Sequence, residues 1–242
     1  MNAFMLMMGG SGTRFGAERP KQFTLVHDRP LFSYILEKAN NIPEINYITV
    51  VSHHSWLDYV QEWCWKVVTN VPFHVAGGGD TRSESVLNGL HSLEEVLSPA
   101  DVVLIHDATH PYLDPQAVRL VAEAASKYGG ATVASKNYDT VYRTDREGFL
   151  EKVEPRELIV AGASPEAFRY GDILDIYQNS TPEELQAMTS AGAIALAHSI
   201  PMLVIPTSVL NLKITYPPDM ELFLQLADHY FFPPQEEVSS IS

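Results

Sequence analysis

Short apolar runs alternate with segments of helical spacing through most of the chain. Near the start, "AFMLMM" is continuously apolar, as a strand buried on both faces requires. A glycine-rich polar stretch follows, and "PLFSYILEKANN" then spaces Leu31, Tyr34 and Ile35 as a helix does. "INYITVVS" is rich in β-branched residues and predicts a second strand, "SWLDYVQEWCWKVV" a helix, and "PFHVAGG" a third short strand. "GGDTRSESVLNGLHSLEEVL" predicts a helix capped by Asp80 or Ser83, with Val86, Leu90, Leu93 and Leu97 on one face. "DVVLIHDATHP" is a buried strand running into polar residues. "DPQAVRLVAEAASKYGG" is a helix with proline near its start and glycines at its end, and "ATVASK" is another strand.

Such alternation predicts an α/β fold, a mostly parallel sheet with helices on both faces. The rhythm breaks after Lys136. "NYDTVYRTDREGFLEKVEPRELIVA" has the pattern of a hairpin arm turning at "DREG". Helical spacing returns in "GDILDIYQN" and "TPEELQAMTSAGAIALAHS". "PMLVIPT" and "NLKITYP" predict late strands, and "PDMELFLQLADHYFF" a closing helix. With no repeat, low-complexity block or linker, the expectation is one domain over 1–232, an arm inserted at about 137–157, and a disordered tail at 233–242.

Composition narrows the partners. The chain has 242 residues, 45% of them hydrophobic, enough for a sizeable core. Its formal charge is −14, which argues against a general nucleic-acid binder. The lone Cys64 excludes an internal disulfide and a cysteine-rich zinc site, and fits a reducing compartment. The apolar run at Met5–Met8 is too short for a signal peptide and lacks basic residues before it. With no long apolar span elsewhere, a cytoplasmic protein is the expectation.

Against this acidity, three cations gather at the first glycine loop, "GGSGTRFGAERPKQF": Arg14, Arg19 and Lys21. Open α/β sheets bind ligands at the carboxyl ends of their strands, and backbone amides of glycine loops approach phosphates closely. Other polar clusters at strand ends are "GGGDTRSES" and "HDATHP", with Lys213 in "NLKIT" a fourth candidate. The loop departs from the dinucleotide pattern at Phe15, and it departs from the Walker pattern because Lys21 lies too far on. A dinucleotide oxidoreductase also wants an acidic residue after the second strand, where this chain reads "VVSHHSW".

Taken whole, "GGSGTRFGAERPKQF" resembles the G-G-x-G-T-R…P-K-Q signature of the nucleotidyltransferases that act on sugar and polyol phosphates. It is most similar to the cytidylyltransferases of methylerythritol 4-phosphate and ribitol 5-phosphate. "GGDTRSESVLNGL", "HDATHP", "DT" in the arm, "PRELIVAGASPEAF" and "NLKIT" with its later Asp follow in the order of that family, over residues 3 to about 230. The stretch "GDILDIYQNSTPEELQAMTSA" resembles the ribitol 5-phosphate branch more.

The resemblance implies a Rossmann-like, nucleotide-diphospho-sugar transferase-like fold and a reaction in which CTP and a polyol phosphate give a CDP-polyol and pyrophosphate. It implies that Arg14, Lys21 and Lys213 are catalytic cations, and that Gly9, Gly10, Gly12, Gly79, Asp80, Ser85 and Ala108 bind CTP. Asp107, His110, Thr140, Arg156 and Thr189 would meet the acceptor, with Thr140 and Arg156 supplied across a homodimer by the arm. Mg²⁺ would ride on the triphosphate, with Asp107 its candidate protein ligand. Arg82, in a helix's first turn, reads as a solvated or ion-paired residue.

Departures from the family pattern fall on the acceptor side. His110 stands where the family carries Arg, which suggests a weaker donor whose charge follows pH. "AGASPEAF" replaces Q-T-P-Q-x-F, and "MTSAGA" loses the acidic residue after Thr189. The CTP side is nearly intact. A changed acceptor is therefore expected, with methylerythritol 4-phosphate or an inactive nucleotide-binding homologue as the alternatives.

Overall fold

Seven strands hydrogen-bond into one sheet in the computed structural model, which describes residues 1–9, 20–207 and 209–232. The chain begins with β1 (Asn2–Met8), a small ribbon of β2 (Leu25–Val26) and β3 (Arg29–Pro30), and α1 (Leu31–Asn40). It continues through β4 (Tyr47–Ser52), α2 (Leu57–Val67), β5 (Phe73–Gly77), α3 (Arg82–His91), β6 (Val102–Asp107), α4 (Pro115–Tyr128) and β7 (Gly130–Lys136). The second half holds β8 (Val141–Thr144), β9 (Leu150–Glu154), β10 (Val160–Arg169), α5 (Tyr170–Asn179), α6 (Pro182–Ala187), α7 (Ala191–Ala197), β11 (Met202–Pro206) and α8 (Pro217–Phe231).

The sheet order is β11-β7-β10-β6-β1-β4-β5. Every neighbouring pair is parallel except those of β10, which runs antiparallel to both β6 and β7. The period of two in β1 explains its unbroken apolar run. Phe4, Leu6 and Met8 face the layer of α1, α2 and α4, while Ala3, Met5 and Met7 face the layer of α3, α5 and α7. The mostly parallel sheet between two helical layers agrees with expectation. Cys64 lies in the first layer, where burial pushes its thiol up to about 12. A third apolar cluster seats α8, through Met220, Phe223 and Ala227, on Leu31, Tyr34, Tyr112 and Ile214.

Three local expectations are corrected. The cap of α3 is Thr81, because its hydroxyl accepts from the Glu84 amide at 3.1 Å while the Glu84 carboxylate accepts from the Thr81 amide at 3.3 Å. Neither Asp80 nor Ser83 fills that position. The long helical pattern after Thr181 divides into α6 and α7, because Ser190 caps a fresh helix by accepting from the Ala193 amide at 3.1 Å. "NLKIT" forms no strand. It is held by the Ile214 amide, which donates to the Thr109 carbonyl at 2.8 Å, and by the Asn211 amide group, which reaches Ser135 and the Gly162 carbonyl, both at 3.2 Å. Beyond what the pattern predicts, "VAGASPEAFR" is a central strand despite its Gly and Pro. A register shift between Gly162 and Glu166 accommodates them. The arm does contain a hairpin of β8 and β9. The tail expected at 233–242 lies outside the described residues. Among the described residues, no helix is long and apolar enough to cross a membrane.

Candidate active site

Strand register brings the polar clusters to one edge. Met7 pairs with Asp107, Met8 with Ser52, and Ser52 with Gly77. Gly9, the Gly77–Gly79 loop and Asp107 therefore lie beside one another at the carboxyl ends of neighbouring strands, where such sheets bind ligands. The first turn of α3 rises from the same edge, with amides that favour anions.

Ser85 ties the two glycine loops to that helix. It is 1% exposed. Its hydroxyl accepts from the Gly79 amide at 3.1 Å and donates to the Thr81 carbonyl at 2.9 Å. A Cβ on Gly9 would sit 2.6 Å from the Ser85 Oγ, so only glycine lets the β1 turn lie this close. The Gln22 amide group donates to the Met8 carbonyl at 3.1 Å and fixes the return of the first loop. Ala108 is buried, and its amide donates to the Met7 carbonyl at 3.1 Å. Asp80 is exposed just before the cap.

Asp107 anchors the cationic side. One carboxylate oxygen accepts from Arg82 at 2.9 Å and the other from Lys213 at 3.2 Å. Its own amide donates to the Ser164 hydroxyl at 3.0 Å, so β10 fixes its backbone. Burial alone would raise its pKa, but Arg82 and Lys213 outweigh burial and hold the carboxyl well below the usual range. Lys21 donates to the Ile214 carbonyl, which brings it beside the segment that carries Lys213. Two lysines from opposite ends of the chain thus meet at one strand end.

His110 requires a correction. It is buried, as is His106, whose ring bonds to the His110 carbonyl at 2.9 Å. Burial first, then the neighbouring His106, Lys213 and Lys21, pushes its pKa down to about 3. The ring is neutral near neutral pH, and the expected pH-following cation is not there. Burial is the main reason; Lys213 and Lys21 add to it, while the Asp107 carboxylate opposes them.

The remaining expected residues are more dispersed. Thr140 and Arg156 are exposed at the base of the arm, where Arg156 donates to the Tyr138 carbonyl at 2.9 Å. Neither joins the Asp107 cluster within this chain. Thr189 is exposed between α6 and α7. Gly10, Gly12 and Arg14 lie outside the described residues. Sequence reasoning left Arg82, Ser164 and Glu166 out of the site. The signal for Arg82 was its position in "GGDTRSES", opposite an acidic strand end; for the other two nothing but their motif position was available.

No group of three or more His, Cys, Asp or Glu able to hold a metal occurs among the described residues. Both oxygens of Asp107 already accept from cations. This donor set fits a magnesium ion carried chiefly by phosphate oxygens, with at most one carboxylate from the protein.

The family profile of IspD, 2-C-methyl-D-erythritol 4-phosphate cytidylyltransferase, matches residues 3–230. A 2-C-methyl-D-erythritol 4-phosphate cytidylyltransferase of Clostridium acetobutylicum is 30% identical over 91% of this chain and 94% of its own. A ribitol-5-phosphate cytidylyltransferase of Vibrio parahaemolyticus is 28% identical over 94% and 96%. Among solved structures, the 4-diphosphocytidyl-2C-methyl-D-erythritol synthase of Anaerococcus prevotii superposes with a TM-score of 0.76 at 21% identity, covering 94% of this chain and 98% of that one. That likeness establishes the fold.

Proposed function

Because the chain belongs to the IspD family of cytidylyltransferases, we propose that it transfers CMP from CTP to ribitol 5-phosphate or a close polyol phosphate, releasing pyrophosphate. The observation that carries the choice of acceptor is the uneven pattern of change. The CTP-side elements, Gly9, Gly79, Asp80, Ser85 and Ala108, keep the family pattern, whereas His110, Glu166 and Ser190 depart from it. Methylerythritol 4-phosphate is the second reading, favoured by the Clostridium relative.

The chemistry asks little beyond position and charge. A phosphate monoester has a second pKa near ~6 and is already a nucleophile at neutral pH. No general base is needed; the two anions must be brought together and the crowded charge neutralised. Lys21 and Arg14 hold the triphosphate in this reading, while Lys213 meets the acceptor phosphate near Asp107. With His110 neutral, the acceptor anion rests on Lys213 and on Arg156 from the arm of a second copy. Ser85, Gly79 and Asp80 line the nucleoside end, where close backbone favours a pyrimidine. Bound magnesium would neutralise phosphate oxygens and favour departure of pyrophosphate.

The dimer rests on the arm's surface. Tyr138, Phe149, Leu150, Val153 and Leu158 are all exposed in the single chain, an apolar patch that a second copy would cover.

Incubation with CTP and Mg²⁺, following pyrophosphate, tests the reading. Ribitol 5-phosphate should give kcat/KM at least about tenfold above methylerythritol 4-phosphate, a preference of roughly 1.4 kcal/mol. The reverse ranking assigns the second reading, and no pyrophosphate with either marks an inactive homologue. Equal turnover of ATP overturns the cytidylyl assignment.

A further inference from the structure

Behind the Asp107 cluster, three segments meet around a small cleft that no step above uses: the turn after β6, the register shift of β10, and the coil between β11 and α8. The turn and the coil are tied to each other twice. The Thr207 hydroxyl donates to the Asp114 carboxylate at 3.2 Å, and the Ile214 amide donates to the Thr109 carbonyl at 2.8 Å. Between those ties, His110 and Tyr112 line the cleft from one side and Asn211 and Leu212 from the other. Its free volume is about 10 Å³. A buried water needs roughly 10–15 Å³ and two to four polar partners, so the space matches a single water molecule.

Two polar atoms in the lining await a partner. His110 is 7% exposed and Tyr112 5%. The His110 Nδ1 and the Tyr112 hydroxyl are shut off from solvent, and neither has a hydrogen-bond partner among the described residues. Leaving such groups unmet is costly. The Ser164 hydroxyl lines the same cleft; it accepts from the Asp107 amide at 3.0 Å and so keeps its own proton to give. A neutral imidazole offers one donor and one acceptor, and a tyrosine hydroxyl offers both. A water also does both and satisfies the pair whichever tautomer His110 adopts. We propose that the cleft is the site of one ordered water, held by the His110 Nδ1 and the Tyr112 hydroxyl with Ser164 as its third partner, and that through it these residues position the coil carrying Lys213 against the strand end carrying Asp107. Asn211 holds that coil from outside, through Ser135 and the Gly162 carbonyl. The water supplies the inward hold, beside Leu212 and one residue from Lys213. His110 is then a positioning residue, acting through the water and not on the substrate.

The water site stands on the cleft alone, whereas its effect on acceptor binding rests on the placing of Lys213 above; structure, stability and kinetics separate the two. A high-resolution crystal structure of the wild-type chain should show one water at hydrogen-bond distance, about 2.6–3.2 Å, from both atoms. A dry cleft, or a direct bond between the two side chains, overturns the site. Tyr112→Phe distinguishes the cases by sign. Where the hydroxyl holds a water, its loss should lower the melting temperature by a few degrees. Where it is an unmet buried group, its removal leaves the melting temperature unchanged or raises it, which also overturns the site. His110→Leu should cost stability likewise, and the double variant less than the sum, because the second change finds the water already lost. Additive losses overturn the shared water. With ribitol 5-phosphate, Tyr112→Phe should raise the acceptor KM about threefold or more while the CTP KM stays within about twofold, a split that general loosening would not give. An unmoved acceptor KM, or equal rises in both, overturns the positioning role. A wild type inactive on every polyol phosphate defeats the acceptor reading instead, and the crystal structure and melting temperatures then decide the water site by themselves.

Discussion

Lys21 and the buried histidine pair carry opposite lessons about charge at this site. Lys21 is proposed as a preorganised donor to the triphosphate. Lys21→Ala should lower kcat several hundredfold, since losing one such transition-state donor typically costs about 3–4 kcal/mol. The fold should tolerate it, because Lys21 is part-buried and lies outside the sheet and the α-helices. Steady-state kinetics decides between roles. A variant with normal kcat and a raised CTP KM would assign Lys21 to ground-state binding. His106 and His110, by contrast, are held neutral, with pKa values pushed down to about 4 and about 3. The unfolded chain, with ordinary histidines, binds more protons below pH ~6.5, so stability is fully present above that value and falls as pH drops toward the folded pKa values. Each histidine can contribute up to about 1.4 kcal/mol per pH unit in that window. Urea unfolding at pH 7 and pH 5 should show the loss, and His110→Asn should reduce its slope. Asp107 does not confuse the result, because its ordinary pKa lies below the window. The same neutrality means that pH profiles of acceptor KM for wild type and His110→Asn should run parallel from pH 6 to 8.5, a range that leaves the acceptor's own ionisation common to both.

Among the elements, the arm makes the sharpest claim. It leaves the sheet after β7, displays an apolar surface and returns into β10. In the proposed dimer, Arg156 from one copy serves the other's site. Arg156→Ala and Lys21→Ala proteins should each be nearly inactive, yet an equimolar mixture that exchanges subunits should recover about a quarter of wild-type activity, from one intact site in each mixed dimer. Light scattering must show the dimer first. No recovery in a mixture known to exchange would place both residues in the same chain's site. The sequence made most elements legible because their apolar positions follow a single period, 2 for β1 and β6 or 3.6 for α3 and α4. It failed where polar side chains decide. The divide between α6 and α7 depends on one serine hydroxyl, and the fixed coil around Lys213 on an asparagine amide. The candidate site was legible as motifs at strand ends; the Arg82–Asp107–Lys213 bridge was not, because it joins residues 25 and 106 positions apart.

At the scale of the whole molecule, an acidic protein concentrates its cations where a sheet edge collects loops from both halves of the chain. Lys21 comes from the first loop, Arg82 from α3, and Lys213 from the segment before α8, and a single carboxylate, Asp107, bridges Arg82 and Lys213. β10 deepens that dependence on late sequence. Among the described residues it is the only strand with two sheet neighbours that both run against it, and it lies between β6 and β7, both of which precede it in the chain. In the finished sheet β6 and β7 are not neighbours, so the native slot between them is filled only after Arg169 has been made. For that interval two adhesive strand edges stand uncovered, the situation in which long-range pairing is slow and stray association competes. The backbone of Asp107 gains its Ser164 partner only when the slot is filled, so that part of the site waits on the closing of the slot, and a chain caught before it lacks both.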